Sequence, residues 1–145
     1  MNTIGRKDKV NLPDLALKNI DAKIDTGAYG CTLHCHSIEL ISRDGKDILA
    51  FKVLDPTHSL YEDKVFYFEE FSDKLVKNSG GQTEHRYTIN TPMIIFGKRR
   101  NIDFSLTNRK KMKYPILLGR EFLTGRFIVD VTLKDLSYKD KKHKK

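Results

Sequence analysis

The chain has 145 residues, 39% of them apolar and 32% charged, with a formal charge of +8. That length suits one domain. No run approaches the roughly 20 apolar residues of a membrane helix, and MNTIGRKDKVNLPDL lacks the apolar core of a signal peptide, so a cytoplasmic protein without a membrane partner is expected. The two cysteines, Cys31 and Cys35, do not make a disulfide scaffold.

In chain order, Val10 to Leu12 is a short apolar run that Pro13 ends, as in an edge strand. Ile20 to Asp25 alternates with period two: Ile20, Ala22 and Ile24 on one face, Asp21, Lys23 and Asp25 on the other. The run stops at Thr26-Gly27, where glycine permits a tight turn. Residues 33 to 53 read as a hairpin: Leu33 to Ile41, an Arg43-Asp44-Gly45-Lys46 turn, and Ile48 to Val53 returning. Asp55-Pro56 breaks the pattern. Lys64 to Phe68 is rich in strand formers. Asn78-Ser79-Gly80-Gly81-Gln82 reads as a turn. Glu84 to Thr91 forms a loose strand that ends before Pro92, and Met93 to Gly97 a separate one. Asn101 to Leu106 alternates again. Pro115 to Gly119 is fully apolar, as a buried strand would be. Arg120 to Leu123 makes one helical turn, and Arg126 to Val131 a last strand. Many short strands between Gly, Pro and Asp turns indicate an all-β barrel or sandwich.

The charge is unevenly spread. Residues 134 to 145 hold six lysines and two aspartates, and residues 98 to 113 hold seven basic residues and one acidic. Such stretches can meet phosphates or acidic peptides. No recognised nucleic-acid motif accompanies them, so a solvated face is the ordinary reading. A metal is weighed at Cys31, His34, Cys35 and His36. On a strand His34 and His36 share one face and Cys35 the other, which makes a poor ligand set, and no HExxH motif occurs. No GxxxxGK[ST] loop offers a phosphate site. No cofactor and no metal are expected.

Asp25-Thr26-Gly27 remains. A carboxylate at the end of a buried strand is costly unless hydrogen bonded or used. From three residues alone the favoured reading is a turn aspartate capping its own loop.

The wider context adds a resemblance. Ala22 to Ala28 resembles the active-site segment of retropepsin-like aspartic proteases, and Ile116 to Leu123 resembles their second characteristic segment, an apolar strand, Gly-Arg and a short helix. More narrowly, Gly5-Arg6, Leu12-Pro13, Leu33-His34, Asn78 to Gly81, Arg86-Tyr87, Leu106 to Arg109, Met112, Tyr114 to Leu123 and Val129-Asp130 are similar to the small proteins named ATP-dependent zinc proteases. The resemblance implies a retropepsin-like acid-protease barrel with one short C-terminal helix over residues 1–133; residues 134–145 lie outside it and read, from their polar composition, as a basic, flexible tail. It implies a homodimeric aspartic peptidase in which Asp25 from each copy forms a dyad sharing one proton and activating a water. Thr26, Gly27 and Ala28 would form the active-site loop. Asn78, Ser79, Gly80, Gly81 and Arg86 would belong to a flap, with Arg86 alternatively a substrate-carboxylate contact or a surface residue. Gly119 and Arg120 would pack near the site. The implied substrate is a peptide, acidic by charge complementarity, and the implied partner an ATP-grasp ligase that adds glutamate tails. Two alternatives stay open: a non-catalytic interaction module on the same fold, and a basic nucleic-acid-binding protein.

Overall fold

The computed structural model of the chain describes residues 1–77, 80–108 and 113–143. It contains eleven strands: β1 (Asn2–Ile4), β2 (Lys7–Leu12), β3 (Leu17–Ile24), β4 (Cys31–Arg43), β5 (Lys46–Val53), β6 (Phe66–Phe68), β7 (Ser72–Lys77), β8 (Thr83–Ile95), β9 (Lys98–Thr107), β10 (Ile116–Leu118) and β11 (Phe127–Val129). Two short helices, α1 (Arg120–Leu123) and α2 (Leu136–His143), and a single 3-10 turn at Pro13–Leu15 complete it.

Six strands close on themselves in the order β10, β3, β2, β8, β9, β4 and back to β10, which makes a barrel. Two of its seams are parallel, β10 on β3 and β4 on β9; the others are antiparallel. Closure removes the open edges that would otherwise invite mispairing. β5 and β6 extend the sheet beyond β4, and β7 extends it beyond β8.

The expected alternation in β3 is present. Ile20, Ala22 and Ile24 are buried with Leu33, Phe104, Ile116 and Leu118 in one core. The expected hairpin at 33 to 53 is also present, as β4 and β5, with Asp44 and Gly45 both at positive φ in the turn. β4 does two jobs. Cys31 to His34 pair with β9, and residues from Cys35 onward pair with β5. A register shift between His36 and Glu39, with Ser37 in the left-handed region, bends the strand out of the barrel there. Beyond the bend, Phe51 stacks with Phe66 and Phe68 at ring separations of 6.2 and 5.5 Å. Burying such a ring contributes about 2–3 kcal/mol.

Two expectations about elements change. Pro92 does not divide two strands; β8 runs through it from Thr83 to Ile95. Between Thr88 and Ile94, β8 pairs with β9 alone, because β7 ends its pairing at Thr88 and β2 joins at Ile94. Proline's missing N–H therefore leaves no ladder broken on that side. The fold also has a second helix where a flexible basic tail is expected. Asp8 lies on the core-facing side of β2, in register with buried Val10 and Leu12. Its carboxylate accepts the backbone N–H groups of Ser137 (2.8 Å), Tyr138 (3.1 Å) and Lys9 (2.8 Å). The first two belong to the first turn of α2, so a carboxylate from a distant strand caps that helix. The Ser137 hydroxyl in turn accepts the Phe96 N–H at 2.7 Å. Among the described residues, no helix is long and apolar enough to cross a membrane.

Candidate functional site

Asp25 stands where β3 leaves the barrel. Its own N–H donates to the Leu118 carbonyl at 2.9 Å, so the first residue of the loop stays fastened to β10. Oδ1 accepts the Gly27 N–H at 3.1 Å, and the Ala28 N–H donates to the Asp25 carbonyl at 3.3 Å. The capping expected of a turn aspartate is therefore real, and it occupies only one carboxylate oxygen among the described hydrogen bonds.

The loop from Thr26 to Gly30 lies against the start of α1. The N–H groups of Arg120 and Glu121 donate to the carbonyls of Ala28 (2.9 Å) and Tyr29 (2.7 Å). The Arg120 guanidinium donates to the Thr26 carbonyl at 2.9 Å. Gly119 makes this approach possible: a Cβ there would lie 2.3 Å from the Gly30 carbonyl oxygen and 2.6 Å from that of Tyr29. Gly119 and Arg120 are thus brought to the Asp25 loop, as positioning residues.

Asp25, Tyr29, Thr32, Arg86, Ser105 and Thr107 line one cleft of about 370 Å³, together with Ala28 and Leu117. Asp25 is the sole carboxylate and Arg86 the sole cation among its described lining residues. The Thr32 hydroxyl is buried there without a hydrogen-bond partner. A second cavity of about 300 Å³, walled by Ile38, His85 and Tyr87, shares Arg86 and Thr107 with the first. Arg86 reaches both from β8, and its Nη2 pairs with Glu84 at 3.1 Å. The His85 ring stacks on Tyr87 at 5.9 Å and takes Asp73 at 2.8 Å.

β7 and β8 pair as a hairpin, with Gly80 and Gly81 at its turn and Gly81 at φ +83°. Asn78 and Ser79 lie outside the described residues. Thr32, Ser105 and Thr107 escaped the sequence reading. Their polar side chains alternate with core positions on β4 and β9, and that pattern alone does not say which strands face each other.

The four residues weighed as metal ligands separate. His34 pairs with Asp55 at 3.1 Å, and His36 Nδ1 meets the Leu54 carbonyl at 2.6 Å, so both histidines clip the loop after β5. Cys31 and Cys35 are buried, and burial raises both thiols. The basic stretch divides. Its first part is strand β9, and residues 109–112 lie outside the described residues.

The comparisons with known proteins follow this geometry. A solved structure of a Legionella pneumophila protein of unknown function (DUF785) superposes with a TM-score of 0.71 and 31% identity, over 94% of this chain and 98% of that one. A protein of Desulfotalea psychrophila is 34% identical over 135 residues, and one of Parasynechococcus marenigrum 35% over 131. Both are named probable alpha-L-glutamate ligase. The matches take in 90% and 88% of this chain but only 28% and 27% of those relatives' length.

These findings correct two expectations. The likeness to ATP-dependent zinc proteases is replaced: the relatives carry a ligase's name, and among the described residues no group of three or more His, Cys, Asp or Glu could hold a metal. The aspartic-peptidase assignment, with its hydrolase and protease descriptions, falls for the same reason. The family description retains a peptidase's name while the longer relatives carry a ligase's, so neither reaction passes to this chain from a name alone. The family model that matches is RimB-like, described as retropepsin-like aspartic endopeptidase RimB; it spans residues 3–140, from β1 into α2, and the chain belongs to that family.

Proposed function

We propose that this chain is a non-catalytic binding module on a retropepsin-like barrel, which holds an acidic, glutamate-bearing peptide for a ligase partner. The observation that carries this reading is the cleft in which Arg86 and Asp25 face the same space. A guanidinium binds carboxylates in a forked geometry. The second oxygen of Asp25 suits a peptide N–H. The formal charge of +8 draws an acidic chain toward the molecule.

The finer fold assignment belongs to the same proposal. Supporting it are the Asp25-Thr26-Gly27 loop at the end of β3, the Gly119-Arg120 turn packed on that loop, and the β7–β8 hairpin that supplies Arg86. The ligase partner is supported by the relatives' name, in which glutamate is the group joined, and by the fact that their matching stretch is a minor part of a longer chain. A homodimer is also proposed. Ile128, Val131 and Leu133 are exposed apolar residues in and just after β11, and a second copy would cover them. Sedimentation equilibrium showing a monomer at all concentrations would remove that part.

The test is binding of a fluorescent oligo-glutamate peptide. Arg86→Ala should weaken binding about tenfold, the loss of one charge-assisted hydrogen-bonded contact. Asp25→Asn should leave binding intact or slightly tighter, because it removes a like charge from the cleft. Unchanged binding in the Arg86 variant would overturn the proposal. So would cleavage of the peptide by the wild-type chain that disappears in Asp25→Asn.

A further inference from the structure

A different opening lies at the end of the barrel, between the β8–β9 turn and the β1–β11 ladder. Its volume is about 300 Å³, and Lys98, Arg100 and Arg126 line it together with Phe96 and Phe127. No aspartate or glutamate is among its described lining residues, and it shares none of them with the Asp25 cleft.

The cations reach it from two separate segments. Phe96 and Gly97 both adopt positive φ and turn the chain tightly from β8 into β9. β9 then alternates. Lys98 and Arg100 fall on the side of Ile102, Phe104 and Leu106, while Arg99 falls on the other and approaches Asp14 at 3.9 Å. Lys98 and Arg100 thus continue the core-facing row past the end of the core. Neither side chain forms an ion pair or hydrogen bond with a described residue. Arg126 follows α1. Its Nη1 donates to the Phe122 carbonyl at 2.8 Å, and its guanidinium lies 5.8 Å from the Phe122 ring. That anchoring fixes one cation in advance of any ligand. Phe96 and Phe127, 5.6 Å apart, give the opening an aromatic wall.

Three positive groups around one opening repel one another, and no carboxylate is among its described lining residues, although Arg126 also borders a neighbouring cavity with Asp103 and Glu121. An anion of matching charge relieves that repulsion. A single carboxylate would meet one fork and leave two cations unanswered. A phosphate group brings more charge and more acceptor oxygens, and both arginine and lysine bind it well. We propose that this opening is a binding site for a small phosphate-bearing anion, a free diphosphate or the phosphate end of an organic ester. The site is independent of the peptide cleft.

Calorimetric titration of the full chain at low salt tests it, with pyrophosphate and ADP as probes. Lys98→Ala/Arg100→Ala should weaken pyrophosphate binding by about tenfold or more, as expected for lost charge-assisted contacts. Lys18→Ala/Lys134→Ala removes the same charge from exposed positions elsewhere and should change binding less than about twofold. Pyrophosphate should also raise the melting temperature of the wild type and not that of the Lys98/Arg100 variant, which guards against a folding defect in the titration. Tighter binding of ADP than of pyrophosphate would identify an ester as the source, and equal binding the phosphate group alone. Equal weakening in both double variants would reduce the effect to overall charge and overturn the site. So would the absence of saturable binding, or tighter occupancy of this opening by a glutamate peptide.

Discussion

Gly119→Ala should lower the unfolding free energy by about 3 kcal/mol or more, while Gly30→Ala, in the loop that packs against Gly119, should change it by less than about 0.5 kcal/mol. The contrast rests on space and not on backbone freedom. Gly119 has φ −93°, which any residue can adopt. Its missing Cβ is what matters: the added carbon would meet three backbone carbonyl oxygens, those of Gly30, Tyr29 and Ala28, at 2.3, 2.6 and 2.7 Å. Backbone atoms cannot swing aside as the end of a long side chain can. The Asp25 loop would have to move off α1, and the hydrogen bonds of Arg120 and Glu121 to it would break. Gly30 has nothing within 4 Å of an added Cβ. Urea unfolding of the two variants measures the difference. For a chain of this size the Gly119 change corresponds to a fall of roughly 6–12 °C in melting temperature. Equal stabilities for the two variants would show that the loop does not rest on α1 as described. Peptide binding in Gly119→Ala should fall as well, because Asp25 and Thr32 would lose their fixed relation to Arg86.

Asp8→Ala should cost about 3 kcal/mol and free α2. It removes one acceptor that serves three backbone donors, and leaves the buried Ser137 amide and the half-buried Tyr138 amide without it. Hydrogen exchange at those two amides should rise far more than exchange in the barrel strands. Uniform acceleration across the chain would mean that α2 is not a separable unit. The difference between wild type and variant should also depend on pH, with a definite sign. Burial is the main influence on Asp8 and raises its pKa above the ordinary 3.8, against the three amides that lower it. A raised acid binds its proton more tightly in the folded chain. Its pH-dependent contribution is therefore complete below 3.8 and declines as pH rises through the higher folded value. Asp21 has the opposite sign. Burial acts to raise it, but hydrogen bonds from Lys9 and Lys7 outweigh burial and lower it, so its contribution is lost in acid. Subtracting the Asp8→Ala curve from the wild-type curve isolates the first effect.

Much of the barrel was legible because its signals are local. Alternation in β3, the Asp44-Gly45 turn and the apolar Ile116–Leu118 run each follow from a few neighbouring residues. The Asp25 loop and the Gly119-Arg120 turn were legible as a pair of segments, and the structure brings them into contact. What was not legible depends on distant neighbours. Pro92 reads as a break until the gap between β7 and β2 along β8 is known. The polar residues from 134 onward read as a tail, because the group that organises their helix is Asp8, at the other end of the sequence. One signal was present there: Asp8 occupies the same face as Val10 and Leu12, and a carboxylate in a core-facing row needs donors from somewhere. The basic stretch after Gly97 read as one patch, whereas strand alternation sends Arg99 to one side and Lys98 with Arg100 to the other.

The parallel seam of β1 with β11 has a bearing on how the molecule is made. Asn2 pairs with Phe127, Thr3 with Ile128 and Ile4 with Val129. Nearby, Gly5 packs so closely on Leu133 that a Cβ would come within 2.3 Å of its carbonyl oxygen. The β1 segment therefore waits for β11, which lies at the far side of the barrel strands in sequence. Contacts between such remote segments form slowly, since a long loop must close before they give any return. During synthesis the β1 segment stays unpaired while the barrel strands assemble behind it. Arrival of β11, and not emergence of β1 itself, sets the moment at which β1 becomes fixed.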